Sequence, residues 1–136
     1  MDIVRSLAVA ASGLRAQAGR MRVIAENIAN ADSTGATPGS QPYRRQVPLF
    51  AEHLDRTLGL ETVKMTGVVP DQSAFRKQYD PGHPAADKQG YVLMPNVNPL
   101  VEQMDLREAQ RSYEANLGVI GATKSMVART LDILRS

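Results

Sequence analysis

Two histidines are the side chains best suited to metal binding or proton transfer in this sequence of 136 residues. His53 lies close to two acidic residues, Glu52 and Asp55, and His83 follows Asp80 by three positions. A metal site needs three or four ligands brought together, and neither local group has a recognised ligand spacing. The chain has no cysteine, which excludes thiolate zinc sites and disulfides. We therefore predict no metal site and no cofactor.

The hydroxyl side chains show no pattern of nucleophilic catalysis. The sequence contains no nucleophile elbow, no P-loop and no Gly-x-Gly-x-x-Gly motif. No serine or threonine has an evident base at a meaningful spacing. Catalysis also requires a concave site with converging groups. We predict that the protein is not an enzyme and has no small-molecule substrate.

The most prominent basic and aromatic cluster consists of Tyr43, Arg44 and Arg45. Residues of these types can contact the phosphates of a nucleic acid. The chain, however, has 16 basic and 14 acidic residues, a net charge of only +2, and no concentrated cationic stripe. We favour the interpretation that both arginines are solvated or salt-bridged in a loop that leads into a strand, and we predict no nucleic-acid partner.

The elements that position these residues follow from the distribution of proline. All eight prolines lie between Pro38 and Pro99. Because proline disrupts helix interiors, the two ends of the chain are free to form long helices and the middle is not. Asn98 followed by Pro99 is a favoured helix start, with Asn98 as the N-cap.

Apolar residues recur at steps of three and four in both end zones, which is the spacing of one helix face. The larger residues of these two stripes, which we predict to form an assembly seam, are Ile3, Leu7, Leu14, Met21, Ile24, Ile28, Leu106, Tyr113, Leu117, Ile120, Val127, Leu131 and Leu134. An intramolecular antiparallel hairpin would bury one stripe of each helix. Both helices are apolar beyond that stripe, which favours self-association.

The middle zone is rich in turn-forming residues. We expect a loop at 33–40 and an ambiguous segment at 47–58 that begins as a strand and continues as a short helix. The β-branched residues at 62–69 predict a strand, and residues 75–79 are its expected partner strand. The middle of the chain is therefore predicted to form a small β element.

The predicted fold class is mainly α, with long N- and C-terminal helices paired as a coiled coil and a small β-hairpin insertion between them. Residues 1–34 and 98–136 would form the helical inner domain, and residues 35–97 the loop and β insertion. No stretch approaches the roughly 18 consecutive apolar residues of a membrane span. The N-terminus lacks a basic region before its apolar residues, so we expect no cleaved signal peptide.

Short motifs follow one another along essentially the whole chain. They are SGLRAQ at 12–17, NIANADST at 27–34, QPYRRQ at 41–46, YDPGHP at 79–84, GYV at 90–92, PNVN at 95–98 and RSYEAN at 111–116. The first two resemble the N-terminal signature of flagellar rod and hook proteins. The others are similar to the FlgC family, the proximal type of bacterial flagellar basal-body rod proteins. The family-motif residues are Asn27, Asn30, Thr34, Tyr43, Arg44, Arg45, Tyr113, Glu114 and Asn116.

The resemblance implies a structural subunit of the flagellar basal-body rod. In that family the terminal helices pair as a coiled coil, and copies polymerise into a hollow periplasmic drive shaft that transmits torque and surrounds the export channel. The resemblance also implies export through the flagellar type III apparatus without a cleaved signal peptide. The implied partners are copies of itself, other rod proteins, and the membrane ring and export gate at the base of the rod.

The resemblance also implies roles for the motif residues. Those at 27–34 would end the first helix through caps and loop hydrogen bonds, and those at 113–116 would fix the register between stacked helices. One alternative to a rod subunit stays open, namely a cytoplasmic coiled-coil adaptor protein. Such an adaptor would have ordered helices in isolation and would not depend on export.

Overall fold

Along the described chain, one long helix precedes four strands and a second long helix follows them. The structure, a computed structural model, describes residues 2–136. The elements in order are α1 (Ile3–Ala29), β1 (Gln46–Asp55), β2 (Leu60–Pro70), β3 (Arg76–Tyr79), β4 (Tyr91–Met94) and α2 (Pro99–Arg135). The predicted arrangement of a long helix at each end with a small antiparallel β-hairpin region between them is confirmed.

Polar side chains mark both ends of α1 and the start of α2. Asp2 accepts a hydrogen bond from the Val4 amide at 3.0 Å at the start of α1, and Asn30 donates one to the Glu26 carbonyl at 2.9 Å at its end. At the start of α2, Asn98 accepts a hydrogen bond from the Leu100 amide at 3.1 Å. Asn98 is therefore the N-cap, as its position before Pro99 predicted.

The strands form two separate two-stranded sheets, β1 with β2 and β3 with β4. In the first sheet the Thr62 hydroxyl bonds the His53 carbonyl and the Thr66 hydroxyl bonds the Leu49 carbonyl, an opposed order that makes the pair antiparallel. The second sheet is antiparallel in the register Arg76↔Met94 to Tyr79↔Tyr91.

Two expectations about the β region are wrong. Residues 75–79 were expected to pair with the strand at 62–69, but β2 pairs with β1 and the 76–79 strand pairs with β4. The segment 47–58 contains no helix, because it continues as strand β1 to Asp55. The Asp55 carboxylate then accepts the amides of Thr57 and Leu58 at 2.9 and 3.2 Å, which folds the chain into a tight turn.

The described chain divides into two compact units. The first unit contains α1 through Met21, residues Leu49–Gly67 and α2 from Arg107 onward. The second unit contains Arg22–Pro48 and Val68–Leu106. Each unit thus contains segments from distant parts of the sequence, so its packing depends on contacts of long sequence separation.

Small residues form the core of the first unit. Ala10, Ala16 and Ala109 are at most 5% exposed. Gly13 lies directly against Asn116, since a β-carbon added at Gly13 would meet the amide nitrogen of Asn116 at 2.7 Å. Alanine and glycine at these positions allow the two helical segments to approach closely.

The core of the second unit combines aliphatic and polar side chains. Its most buried aliphatic residues are Val23, Ile24, Val92 and Val97. Asn27 and Glu102 are buried with them, each only 1% exposed. A buried polar group costs free energy unless it is hydrogen-bonded, so the partners of these two side chains decide whether this core is stable.

Replacement of Gly90 by alanine is expected to lower the free energy of unfolding by about 1–2 kcal/mol, because the backbone of Gly90 lies in the left-handed region, which residues with a β-carbon rarely adopt. Its own φ is +89°, and an added β-carbon would lie 2.9 Å from the Tyr79 ring. Gly82→Ala is the matched control, since the nearest atom to its added β-carbon is 3.9 Å away. Urea unfolding followed by tyrosine fluorescence measures both. Equal stability of the two variants would contradict this reading of the turn.

Candidate functional site

Asn27 joins the last turns of α1 to the segment that enters β1. Its side-chain amide donates to the Gln46 carbonyl at 2.8 Å. Its side-chain oxygen accepts from the Tyr43 hydroxyl at 2.7 Å and from the Gln46 amide at 2.9 Å. The three bonds satisfy a fully buried amide, so Asn27 fixes the direction in which the chain leaves the helix.

Asn30 and Thr34 organise the loop after α1. Besides its bond to Glu26, Asn30 accepts a hydrogen bond from the Ser33 hydroxyl at 3.0 Å. Thr34 Oγ1 lies 3.0 Å from His83 Nε2, and His83 Nδ1 accepts the Ala85 amide at 2.9 Å. Because Nδ1 is an acceptor, neutral His83 carries its proton on Nε2 and donates to Thr34. His83 thereby connects the loop after α1 to the segment between β3 and β4.

Arg44 is bound within its own chain. Its Nη1 donates to the Asp71 carbonyl at 2.7 Å and to the Ser73 carbonyl at 3.1 Å. Its guanidinium carbon also lies 4.1 Å from the centre of the Phe75 ring, within the range of a cation–π contact. Arg44 was expected to be solvated or salt-bridged, whereas these partners are backbone carbonyls and an aromatic ring of the segment after β2.

Arg45 is the centre of an ion-pair network. Its Nε donates to the buried Glu102 carboxylate, and its Nη1 lies 3.2 Å from Asp71 Oδ2. Its backbone amide donates to the Asn96 side chain at 2.7 Å. Asn96 in turn donates to the Asp71 and Ser73 carbonyls at 3.0 and 3.1 Å. The network ties the entry of β1, the segment after β2 and the start of α2 to one another.

The charges of this network stabilise one another. Burial disfavours the charged form of Arg45, but the hydrogen bond and charge of Glu102, followed by those of Asp71, outweigh it and raise the pKa of Arg45. Hydrogen bonds from Ser73, followed by the charge of Arg45, lower the pKa of Asp71. Burial, followed by nearby carboxylates, raises the pKa of Tyr43. Arg45 and Asp71 therefore stay charged, and Tyr43 stays a neutral hydroxyl, at neutral pH.

The remaining motif residues, Tyr113, Glu114 and Asn116, lie on α2 in the first unit. Tyr113 is half-buried and Glu114 is exposed. Asn116 donates to the Ser112 carbonyl one turn earlier at 3.0 Å and lies against Gly13. The structure thus places Asn116 at a close approach of the two helical segments.

The residues predicted to form the seam differ in exposure. Ile24 is buried. The half-buried members are Leu7, Leu14, Met21, Ile28, Leu106, Tyr113, Ile120 and Val127. The exposed members are Ile3, Leu117, Leu131 and Leu134. The exposed members lie at the start of α1 and in the second half of α2.

Sequence reasoning missed three residues of the network, namely Asp71, Asn96 and Glu102. Glu102 lies in the first turn of α2, where the helix dipole favours an acidic residue, and nothing in its local pattern indicates burial. Asn96 lies inside the PNVN motif at 95–98. The motif carried part of the family resemblance but did not indicate which residues the Asn96 side chain bonds. The partner of Glu102, Arg45, is 57 positions away, so no local spacing could have identified the pair.

The side chains described above bind separate segments of the chain to one another. Within residues 2–136, no group of three or more His, Cys, Asp or Glu side chains is placed to hold a metal ion. The polar ends of Asn27, Arg44 and Arg45 are bound to other parts of the same chain. Of the two described helices, neither is long and apolar enough to cross a membrane.

Replacement of Asn27 by leucine is expected to lower the free energy of unfolding by about 3 kcal/mol, because it leaves the Tyr43 hydroxyl and both backbone groups of Gln46 without their partner. Asn30→Leu is the matched control, since the Asn30 side chain bonds only within its own helix end. Urea unfolding of both variants measures the difference. A loss for Asn27→Leu no larger than that of the control would contradict the role of the buried amide.

Comparisons with known proteins agree with the motif positions. Residues 7–37 match the family described as flagella basal body rod protein. Residues 88–133 match the family described as flagellar basal body rod FlgEFG protein C-terminal. The two matches include α1 from Leu7 onward and most of α2, which are the elements that contain the seam.

Three relatives are similar over nearly their whole lengths. The flagellar basal-body rod protein FlgC of Agrobacterium fabrum is 52% identical, covering 94% of this chain and 92% of the relative. The FlgC proteins of Borreliella burgdorferi and Salmonella typhimurium are each 40% identical, covering 99% and 98% of both chains, respectively. The chain therefore belongs to the FlgC family of flagellar basal-body rod proteins, which are structural proteins and not enzymes.

Proposed function

We propose that this rod protein polymerises through its terminal helices into the hollow periplasmic shaft that transmits torque and surrounds the export channel. Residues 1–34 and 98–136 act as a helical coiled-coil inner domain in this proposal, and residues 35–97 as a loop and β insertion. The family membership supports a subunit of the rod over a cytoplasmic coiled-coil adaptor.

The exposed apolar side chains of α2 are the observation that carries the proposal. Leu117 and Leu131 are each 51% exposed and Leu134 is 77% exposed. Exposed apolar side chains suit a protein interface, and the burial of apolar surface is favourable by about 25 cal/mol for each Å² removed from water. These residues continue a helical stripe, so they suit packing against helices of neighbouring subunits.

The proposed partners follow from the same assignment. They are copies of this chain, other rod proteins, and the membrane ring and export gate at the base of the rod. The protein would reach the rod through the flagellar type III apparatus, a route that needs no cleaved signal peptide. The internal bonds of Arg44 and Arg45 support a partner set without nucleic acid.

An immunoblot of purified hook–basal bodies tests the proposal, together with a motility assay of the deletion strain. We expect the protein in the basal-body fraction and a non-motile, hookless deletion strain. Complementation with the wild-type chain is the control for polar effects of the deletion. Absence from the basal-body fraction together with normal motility of the deletion strain would overturn the proposal.

A further inference from the structure

The helical segments of the first unit are antiparallel in a defined register. Gly13 lies against Asn116, and Arg20 Nη2 lies 3.6 Å from Glu108 Oε2. The step of seven residues from Gly13 to Arg20 along α1 thus corresponds to a step of eight residues from Asn116 back to Glu108 along α2. The two helical segments therefore run in opposite directions at nearly one residue for one. Ten residues before Gly13 is Ile3, where α1 begins, and ten residues after Asn116 is Met126.

Helix α2 therefore continues beyond the start of α1. It ends at Arg135, so residues 127–135 have no residue of α1 level with them. We call these residues the C-terminal overhang. Three of its apolar side chains are strongly exposed, with Leu131 at 51%, Ile133 at 74% and Leu134 at 77%. The seam stripe thus extends past the helix that would cover it.

An open groove lies on the same unit, about 690 Å³ in volume. Its lining residues include Asp2, Arg5, Val9, Asn116 and Val119. Val9 and Val119 are each 47% exposed, so the groove presents an apolar floor to solvent. Asp2, just before α1, and Arg5, in its first turn, are both lining residues of the groove.

We infer that this groove receives the C-terminal overhang of a second copy of the chain, an inference that rests on the proposed function. The charges are complementary. Asp2 and Arg5 are three residues apart, as are Asp132 and Arg135. In an antiparallel crossing, Asp2 faces Arg135 and Arg5 faces Asp132, which makes two opposite-charge pairs. No ion pair within residues 2–136 uses any of these four side chains, although Arg5 donates hydrogen bonds to the Leu58 and Gly59 carbonyls at 3.0 to 3.3 Å, which hold its guanidinium in place beside the groove.

The chain cannot fill the groove with its own overhang. Leu134 lies 15 residues after Val119 on one continuous helix, a separation of roughly 22 Å at 1.5 Å per residue. The occupant therefore comes from another molecule. The groove and the overhang are different surfaces, so each copy uses both at once and the contact propagates head to tail without closing on itself.

Cysteine cross-linking tests the inference in a chain that has no native cysteine. The full-length Val9→Cys/Leu134→Cys variant is treated with a short thiol-reactive cross-linker, both in hook–basal bodies and as concentrated purified protein. We expect a ladder of dimers, trimers and larger species of this chain. The matched control is Val63→Cys/Leu134→Cys, because Val63 lies in the same unit, is 46% exposed and does not line the groove.

Each outcome decides the inference separately from the proposed function. A ladder in either sample with the Val9 pair and not with the control pair supports it. The absence of the ladder from both samples, an equal ladder with the control pair, or cross-links only to another rod protein identified by mass spectrometry would overturn it. The immunoblot reports incorporation into the rod independently, so a missing cross-link in protein that is present in basal bodies rejects the groove and leaves the rod assignment intact.

Discussion

Replacement of Leu131 by aspartate is expected to abolish motility while leaving the isolated chain as stable as wild type. Leu131 is half exposed in the chain itself, so the aspartate stays solvated there. In an assembled rod the same side chain would be a buried, unpaired charge, which costs several kcal/mol in each subunit contact. Swarming on soft agar measures the loss, and an immunoblot of the basal-body fraction shows whether the subunit is incorporated.

Two further variants isolate the cause of this loss. Ser125→Asp places the same charge on an exposed polar position of α2 and is expected to leave motility unchanged. Leu14→Asp changes a half-buried seam residue, so it is expected to lower the stability of the chain as well as to prevent assembly. Normal swarming of the Leu131→Asp strain would reject the seam as an assembly surface.

Replacement of Glu102 by leucine is expected to lower the free energy of unfolding by about 2–3 kcal/mol, because Arg45 then loses its buried carboxylate. Removal of one partner of a buried ion pair costs about 3–5 kcal/mol. The smaller figure applies because the Arg45 side chain is 25% exposed and retains Asp71 at 3.2 Å. Urea unfolding followed by circular dichroism measures the loss.

The double variant Glu102→Leu/Arg45→Met is the control for this prediction. It removes both charges together, and an apolar replacement of a buried ion pair is often close to neutral. We expect it to recover most of the stability lost by Glu102→Leu. If the double variant is less stable than the single variant, the uncompensated charge of Arg45 is not the cause of the loss.

Local signals in the sequence were sufficient for the helices. The restriction of proline to residues 38–99 leaves both ends free to be helical, and α1 and α2 occupy those ends. Asn98 and Pro99 defined the start of α2 because capping depends only on neighbouring residues. The strand at 62–69 was also recognisable, since its β-branched residues are a property of the segment itself.

Strand pairing and the polar core could not be predicted in the same way. The four residues of β3 are all exposed, so they carry no alternation that could indicate a face or a partner. The pairing with β4 requires the turn around Gly90, whose φ of +89° depends on the folded turn. The Glu102–Arg45 pair is held by tertiary packing, and each residue alone resembles an ordinary surface charge.

The network around Arg45 also bears on the order in which the chain folds. Its bonds join residues separated by 26 to 57 positions, whereas each helix needs only bonds between near neighbours. The entropy of closing such long loops must be lost before these contacts are gained. Helix formation should therefore precede the locking of the second unit. During synthesis Arg45 has no carboxylate to pair with in α2 until Glu102 has been added, so this unit matures late, after three-quarters of the chain has been made.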